Sequence, residues 1–313
     1  MSGPAPSFSP VPYVKRATRV EGHRVHYLEA GEGPTVVLNH GFGAWSECTW
    51  RHTIGVLSRD FRVLAPDMVG FGYSDKPPLE FFSEEDVLEP PVRILRGFLD
   101  EVGVDRAAMV GLSFGGAVSL RFALDHPERT SALGLVSSFG LGRAIHYAYR
   151  TLAFPNLAVR LWSSPDPSRV KLFLRGIVRN PECFSDSFLE EVVQVMGMPG
   201  STHAVQAAAH AIGLSGQRVN YLPNLVSVRA PSLVVWGARD PVFPLRHARR
   251  AARALPNAKL HVLPDCGHLP PLECPERFAE VLHRFLRKSL LASKAPAVMA
   301  PPPVLDMDSY GEA

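Results

Sequence analysis

The sequence predicts an α/β fold with a mostly parallel β-sheet that is covered by helices on both faces. Short apolar runs rich in β-branched residues, each the length of a buried strand, recur along the chain. Most of them are separated by segments with the pattern of helices, and this alternation is typical of parallel sheets. Because such sheets bind ligands beside the carboxyl ends of their strands, we expect the functional residues in the loops at that edge.

The first predicted strand pair opens the sheet in an antiparallel arrangement. Residues 24–29 alternate like a half-buried strand, and residues 21–23 before them predict a hairpin turn. Six further strands are predicted at residues 35–40, 62–67, 107–113, 132–138, 232–237 and 259–265. Helices are predicted at residues 48–57, 91–102, 115–125, 244–255 and 275–290. The second helix should begin near Pro91, because proline is tolerated in a first turn but not in a helix interior.

An interval without predicted strands interrupts this alternation. Residues 139–216 resemble several consecutive helices with apolar faces, formed by Tyr147, Leu152 and Phe154, by Leu172, Phe173 and Ile177, and by Phe188, Val192 and Met196. We expect an inserted helical cap over the carboxyl edge of the sheet, with side chains that line a pocket or pack against the core. The core then comprises residues 13–138 and 217–291. Residues 1–12 and 292–313 are rich in Pro, Ala and Ser and are interpreted as flexible extensions.

Composition and charge indicate a small-molecule partner. The chain of 313 residues is 46% hydrophobic, which is enough for a self-sufficient core. Its formal net charge is only +3, and Lys and Arg are scattered among Asp and Glu, so no basic patch is expected to bind nucleic acid or anionic lipid. Four arginines with helical spacing are interpreted as a solvated face: Arg246, Arg249, Arg250 and Arg253.

The cellular environment is predicted from the absence of targeting signals. The sequence has no signal-peptide pattern and no run of the ~18 apolar residues that a membrane span needs, so a soluble, cytoplasmic protein is expected. The four cysteines form no Cys-x-x-Cys pair. Reduced thiols are therefore predicted rather than a disulfide framework or a zinc site. The sequence makes no prediction of the oligomeric state.

The strongest local signal is the segment GLSFGG at residues 111–116, which directly follows a predicted strand and precedes a predicted helix. A G-x-S-x-G segment in this setting forms a sharp turn that exposes the serine at its tip. Gly111 and Gly115 leave room for the turn, and the helix that follows aims free N–H groups at a developing negative charge. Ser113 is the predicted nucleophile.

A serine nucleophile needs a base and an acid that orients the base. His268 is the predicted base, because it lies between the last strand and the last helix, at the same edge as Ser113. Asp240 follows the preceding strand and is the predicted acid, and the order Ser, Asp, His accompanies this type of turn. Residues 137–140 at the end of an earlier strand offer no carboxylate, and Asp265 is only three residues from His268 and less well placed.

Two backbone N–H groups are predicted to bind the oxyanion of the reaction. They belong to Phe114, which follows the nucleophile, and to Phe42, in the loop after an early strand. Gly41 and Gly43 beside Phe42 let the backbone approach a substrate closely. His40 is interpreted as a structural residue at the strand end. This chemistry requires no metal and no cofactor.

Four motifs resemble the α/β-hydrolase superfamily, in particular its capped branch. They are HGFG at residues 40–43, DMVGFGYS at 67–74, GLSFGG at 111–116, and Gly267-His268 with Asp240 upstream, which together span about residues 14–290. The branch includes carboxylesterases, carbon–carbon bond hydrolases, epoxide hydrolases and haloalkane dehalogenases. The resemblance implies an eight-stranded sheet, and it implies that Asp67 fixes a turn rather than reacting. Relatives that open epoxides or displace halide use aspartate at the turn, so Ser113 argues against those activities.

Three hypotheses about function remain. The leading one is a carboxylesterase-like acyl hydrolase for a small, largely apolar substrate. The second is hydrolysis of a carbon–carbon bond beside a ketone, with Arg150 or Arg175 binding an acidic substrate. Relatives with that activity often have Met after the serine and Trp after the histidine, where this chain has Phe114 and Leu269. The third is a ligand receptor that retains the three residues and signals through movement of the cap.

Overall fold

The computed structural model describes residues 13–82, 85–146 and 166–291. The strands in this part of the chain are β1 (Val14–Val20), β2 (His23–Ala30), β3 (Thr35–Asn39), β4 (Arg62–Pro66), β5 (Ala107–Leu112), β6 (Thr130–Val136), β7 (Ile212–Gly213), β8 (Gly216–Gln217), β9 (Ser232–Gly237) and β10 (Ala258–Leu263). Eight of them form one sheet in the order β1-β2-β4-β3-β5-β6-β9-β10. Strand β2 runs antiparallel to both of its neighbours, and all other neighbours are parallel. The predicted mostly parallel, eight-stranded sheet is confirmed.

Helices cover both faces of this sheet. They are α1 (Ser46–Leu57), α2 (Glu89–Glu101), α3 (Phe114–Asp125), α4 (Pro167–Ile177), α5 (Asp186–Met196), α6 (Ser201–Ala209), α7 (Arg246–Ala254), α8 (Pro270–Glu273) and α9 (Pro275–Leu290). Apolar residues of α1 and α9 pack on one face, and those of α2, α3 and α7 pack on the other. Because the central strands are buried on both faces, they are almost entirely apolar; β5, for example, is buried at every position.

The interval from residue 139 to 216 contains α4, α5 and α6, whose buried apolar residues join the core cluster of α2, α3 and α7. The expectation that this interval holds no strand was wrong, because β7 and β8 form a short antiparallel hairpin. A side chain at Gly216 would overlap the carbonyl oxygen of Arg143, so only glycine lets this hairpin pack so closely. The domain boundaries stay a prediction. Four residues named above lie outside the described residues: Tyr147, Arg150, Leu152 and Phe154.

The start of α2, the state of the cysteines and the lengths of the helices were also predicted from the sequence. Helix α2 begins at Glu89, two residues before Pro91, and Pro90 and Pro91 lie in its first turn, where a missing N–H costs nothing, as predicted. All four cysteines are free, as predicted. Within the described part of the chain, no helix is long and apolar enough to cross a membrane.

Candidate active site

Ser113 lies on the sharp turn between β5 and α3. Its backbone has φ 51° and ψ −114°, a conformation that costs a non-glycine residue on the order of 1–3 kcal/mol. Four backbone hydrogen bonds hold it there: Ser113 N–H donates to the Val136 carbonyl (2.9 Å), and the Ser113 carbonyl accepts from the N–H groups of Gly116 (3.0 Å), Ala117 (3.3 Å) and Phe139 (2.9 Å). The turn therefore presents the Ser113 side chain at the carboxyl edge of the sheet, as predicted.

The glycines of the two motifs allow this close packing. A side chain at Gly111 would overlap the carbonyl oxygen of Gly115, and one at Gly115 would overlap the carbonyl oxygen of His40. A Cβ added to Gly41 would lie 3.7 Å from the Cβ of Ser113, and Gly43 has a φ of 70°. The loop after β3 is thus brought against the turn that carries Ser113.

Ser113, His268 and Asp240 form a continuous chain of hydrogen bonds. His268 Nε2 lies 3.0 Å from Ser113 Oγ, and His268 Nδ1 lies 3.0 Å from Asp240 Oδ2. Only 6% of the His268 side chain and 1% of the Asp240 side chain are exposed. Because an ionised carboxylate only accepts hydrogen bonds, His268 Nδ1 carries the proton and Nε2 is left to accept from the serine hydroxyl. This arrangement can deprotonate Ser113.

Two other residues near the site, Asp265 and His40, do not belong to this chain of hydrogen bonds. Asp265 is exposed, and its carboxylate makes no hydrogen bond to His268. His40 is buried, donates from Nδ1 to the Gly41 carbonyl (2.8 Å) and accepts at Nε2 from Met68 N–H (2.9 Å). Burial lowers the pKa of His40, which keeps it neutral in this role. The interpretation of His40 as structural is confirmed.

Asp67 fixes the turn at residues 67–74, as the resemblance implied. Its carboxylate accepts hydrogen bonds from Ser46 N–H (2.8 Å) and Tyr73 N–H (2.9 Å), and from His26 Nδ1 (2.9 Å). Burial by itself would raise the pKa of Asp67, but the hydrogen bond from His26 and the nearby histidines hold that pKa below its usual value. Asp67 thereby ties the start of α1 to β2, beneath the loop that carries Phe42.

A cavity of about 620 Å³ lies above Ser113 and His268. Its lining combines the loops at the carboxyl edge with α4, α5 and α6, and most of it is apolar; Phe42, Phe114, Phe139, Phe188, Val192 and Phe243 are examples. Among the described lining residues, Arg169 is the only one with a permanent charge. Leu172 and Phe173 border the cavity and are 74% and 37% exposed, so they mark its opening.

The predicted oxyanion residues both line this cavity. Phe114 is the first residue of α3, where a backbone N–H has no acceptor within the helix. Phe42 lies on the loop that Gly41 and Gly43 bring against Ser113. The two residues thus border the same cavity as Ser113.

The sequence was compared with models of known protein families. The model described as the alpha/beta hydrolase fold matches residues 34–275, which is most of the chain. The chain belongs to the α/β-hydrolase fold family. Among its curated relatives, 2-hydroxy-6-oxo-6-phenylhexa-2,4-dienoate hydrolase of Burkholderia cepacia is 30% identical over 84% of this chain and 91% of the relative. A 2-hydroxymuconate semialdehyde hydrolase of Pseudomonas putida is also 30% identical, over 89% of this chain and 96% of the relative.

Solved structures of α/β-hydrolases with different reactions resemble this chain to a similar degree. The 2-hydroxy-6-oxo-6-phenylhexa-2,4-dienoate hydrolase of Rhodococcus sp. strain RHA1 has a TM-score of 0.76 at 27% identity, covering 88% of this chain and 99% of that one. A thermophilic esterase of Thermogutta terrifontis has a TM-score of 0.71 at 27% identity, covering 90% of this chain and 100% of that one. These comparisons establish the family.

Glu273 is a residue of this hydrolase site that the sequence did not reveal. Its carboxylate accepts hydrogen bonds from the N–H groups of Gly267 and Leu269 (both 2.9 Å), which flank His268, and from Arg179 N–H (2.6 Å), just after α4. His268 N–H in turn donates to the Ile177 carbonyl (3.1 Å). The only sequence signal is an acid in a short proline-bounded turn after the histidine.

Proposed function

We propose that this chain is a serine hydrolase that cleaves an ester of a small, largely apolar substrate through an acyl-enzyme on Ser113. The observation that carries the proposal is the hydrogen bond of 3.0 Å between Ser113 Oγ and His268 Nε2, beneath an apolar cavity. A serine hydroxyl is a poor nucleophile until a base takes its proton, and this geometry supplies the base.

The first half of the proposed reaction forms the acyl-enzyme. His268 Nε2 removes the Ser113 proton while Oγ attacks the ester carbonyl, and Asp240 stabilises the imidazolium that results. The oxyanion of the tetrahedral intermediate accepts hydrogen bonds from Phe42 N–H and Phe114 N–H. His268 then gives its proton to the departing alkoxide, and the alcohol leaves.

The second half releases the acid. His268 removes a proton from water, the hydroxide attacks the acyl carbonyl, and the same two N–H groups stabilise the second oxyanion. The intermediate collapses, the proton returns from His268 to Ser113 Oγ, and the carboxylic acid leaves. None of these steps requires a group that the chain lacks.

The apolar lining supports an apolar substrate. Helices α4, α5 and α6 provide much of the wall, and we propose that residues 139–216 act as the cap that excludes water from the ester. A charged group in such a cavity loses its hydration, and Arg169 at the opening is the only permanent charge among the described lining residues. Neutral acyl and alcohol groups are therefore favoured.

Ester turnover by the Ser113→Ala variant tests the proposal. We expect wild type to hydrolyse p-nitrophenyl esters of graded acyl length, and the variant to lose at least about 10³-fold in kcat, because the three residues act as a unit. Ser58→Ala is the control, since that half-buried serine lies at the end of α1 and its hydroxyl donates only to the Gly55 carbonyl. Full activity in Ser113→Ala would contradict the mechanism.

Carbon–carbon bond hydrolysis is the second candidate, because the two curated relatives named above are hydrolases of that kind by name. The name of the first relative includes a dienoate, whose carboxylate would need a cation in the cavity. Arg175 is exposed on α4 and does not line the cavity, so it does not fit the role predicted for it, and Arg150 lies outside the described residues. Among the described residues that line the cavity, Arg169 is the only cation available to bind such a carboxylate.

A direct comparison of the two substrates separates the candidates. The ester proposal predicts a higher kcat/KM for apolar p-nitrophenyl esters than for 2-hydroxy-6-oxo-6-phenylhexa-2,4-dienoate, whose cleavage is followed by loss of its absorbance. A preference for the dienoate, weakened by Arg169→Gln, would favour the second candidate.

A further inference from the structure

Basic residues are concentrated in one part of the chain. Residues 192–264 contain eight Lys and Arg residues and a single acid, Asp240, whose carboxylate is buried against His268. The formal charge of the whole chain is only +3, so the rest of the chain carries a net negative charge. The expectation that basic and acidic residues are evenly scattered was wrong for this region.

Helix α7 carries half of these charges on its outer face. Arg246, Arg249, Arg250 and Arg253 have the spacing i, i+3, i+4 and i+7, and all four are exposed. The opposite face packs on the core through His247, Ala248 and Ala251. Along the helix axis the four arginines span about 10 Å, at 1.5 Å per residue. We call these four residues the α7 basic face.

Among the residues that the structure describes, the α7 basic face has no acidic partner. None of its arginines forms an ion pair or a side-chain hydrogen bond with any residue in the described ranges. Helix α9 differs, because its exposed basic residues alternate with Glu276 and Glu280, and Arg287 lies 3.8 Å from Asp60. Burial, Arg246 and Arg250 together lower the pKa of His247 to about 4, which is consistent with a positive potential at α7.

An exposed apolar side chain accompanies these charges. Residues Leu222–Ser227 form a short 3₁₀ helix that packs against α7, and Val226 of this helix is 70% exposed. Arginines that form no ion pair among the described residues, on a helix that contacts the 3₁₀ helix of Val226, suit a membrane surface, where headgroups carry negative charge and the layer beneath them is apolar.

We propose that the α7 basic face docks on the anionic headgroups of a lipid bilayer. Four charges spread along a helix can engage several headgroups at once, whereas a single bound anion would need them to converge on one point. The apolar cavity is consistent with this location, because apolar esters partition into bilayers. The docking itself does not depend on which bond the enzyme cleaves.

Vesicle co-sedimentation of the full chain tests the proposal. Wild type should bind vesicles of equal parts phosphatidylcholine and phosphatidylglycerol, should bind pure phosphatidylcholine at least about tenfold more weakly, and should be released as salt rises. The test variant replaces the α7 basic face with Arg246→Gln, Arg249→Gln, Arg250→Gln and Arg253→Gln. It should lose at least about tenfold in affinity for the anionic vesicles while keeping its circular dichroism spectrum.

A matched control removes four positive charges from α9 instead, with Arg277→Gln, Arg284→Gln, Arg287→Gln and Lys288→Gln. This variant should bind the anionic vesicles within about twofold of wild type. Equal losses in both variants would overturn the proposal, since net charge alone would then explain binding. Equal binding to both kinds of vesicle would also overturn it, as would displacement by inorganic phosphate at the same ionic strength or tighter binding to duplex DNA than to the vesicles.

Discussion

Asp240 accepts hydrogen bonds both from His268 and from backbone N–H groups of its own loop. Its Oδ1 accepts the N–H groups of Val242 (2.8 Å) and Phe243 (3.0 Å), and both carboxylate oxygens lie within 3.1 Å of His268 Nδ1. The N–H groups of the loop therefore hold the carboxylate in place, and the carboxylate in turn orients His268. Such a pre-set acceptor holds one tautomer of the imidazole and stabilises its charged form.

Replacing this carboxylate should abolish most of the activity. We expect Asp240→Asn to lower kcat for an apolar ester by about 10³–10⁴-fold, because an amide can donate to Nδ1 and favour the wrong tautomer. The matched control is Asp265→Asn, an exposed acid three residues before His268, which should leave kcat within about twofold. Stopped or continuous assays of p-nitrophenol release measure both. Equal losses in the two variants would contradict the assignment of Asp240.

The locations of Ser113, His268 and Asp240 could be predicted from the sequence, because each follows a strand and therefore lies at the carboxyl edge of the sheet. Their hydrogen bonds could not be predicted, since they depend on how the three loops pack. The link from His268 N–H to the Ile177 carbonyl joins residues far apart in the chain, and no local pattern reports such a contact.

The turn between β10 and α9 connects His268, the proposed base, to the helices of residues 139–216. Glu273, the last residue of α8, holds the backbone on both sides of His268 and also binds Arg179 N–H, just after α4. A carboxylate that accepts from several backbone N–H groups is a strong acceptor. Glu273 is a positioning residue that acts through His268.

Loss of this acceptor should impair turnover more than binding. Glu273→Gln replaces one carboxylate oxygen by an NH₂ group, which donates hydrogen bonds and cannot accept them, so we expect kcat to fall about 10- to 100-fold with KM changed less than about threefold. The pH profile of kcat/KM should also move, because the environment of His268 changes. Thermal unfolding followed by circular dichroism checks that the variant is folded. Unchanged kcat and an unchanged pH profile in the folded variant would rule out the positioning role.

Regular elements were predictable and irregular ones were not. Strands such as β5 and β9 are continuous apolar runs, and α9 has the bounds that its periodicity predicted. The β7–β8 hairpin was missed, because strands of two residues have no periodicity and this one depends on the approach of Gly216 to Arg143.

In the whole molecule, one buried histidine makes stability depend on pH. His247 is 2% exposed, and its Nδ1 has no hydrogen-bond partner. Burial and the neighbouring arginines lower its pKa to about 4 from 6.5. Between these values the unfolded chain binds a proton that the folded chain does not, so acid favours unfolding. The stabilisation is complete above the unfolded pKa and is lost as the pH falls toward the folded one.

This linkage predicts a specific pH dependence. The free energy of unfolding should fall by about 2 kcal/mol from His247 alone between about pH 7 and about pH 5. His247→Gln, which cannot be protonated there, should flatten the fall by that amount, whatever its stability at neutral pH. Urea unfolding of both proteins at the two pH values measures the difference. Parallel pH dependences in the two proteins would contradict the assignment.

The architecture of the whole molecule followed from the alternation of strands and helices, but the cavity and the charge distribution did not. The cavity is formed by loops and helices from distant parts of the chain, and its shape depends on their packing. The sequence did show the four arginines of the α7 basic face, and their helical spacing predicted a solvated face. The small overall charge hid the fact that Asp240 is the only acid between residues 192 and 264.

The most direct test of the central claim is the site of covalent labelling by an alkyl fluorophosphonate, read by intact-protein and peptide mass spectrometry. The account predicts one adduct per chain, on Ser113, with no adduct in Ser113→Ala and with slower labelling in Asp240→Asn. Labelling that persists in Ser113→Ala, or that maps to another residue in wild type, would contradict it.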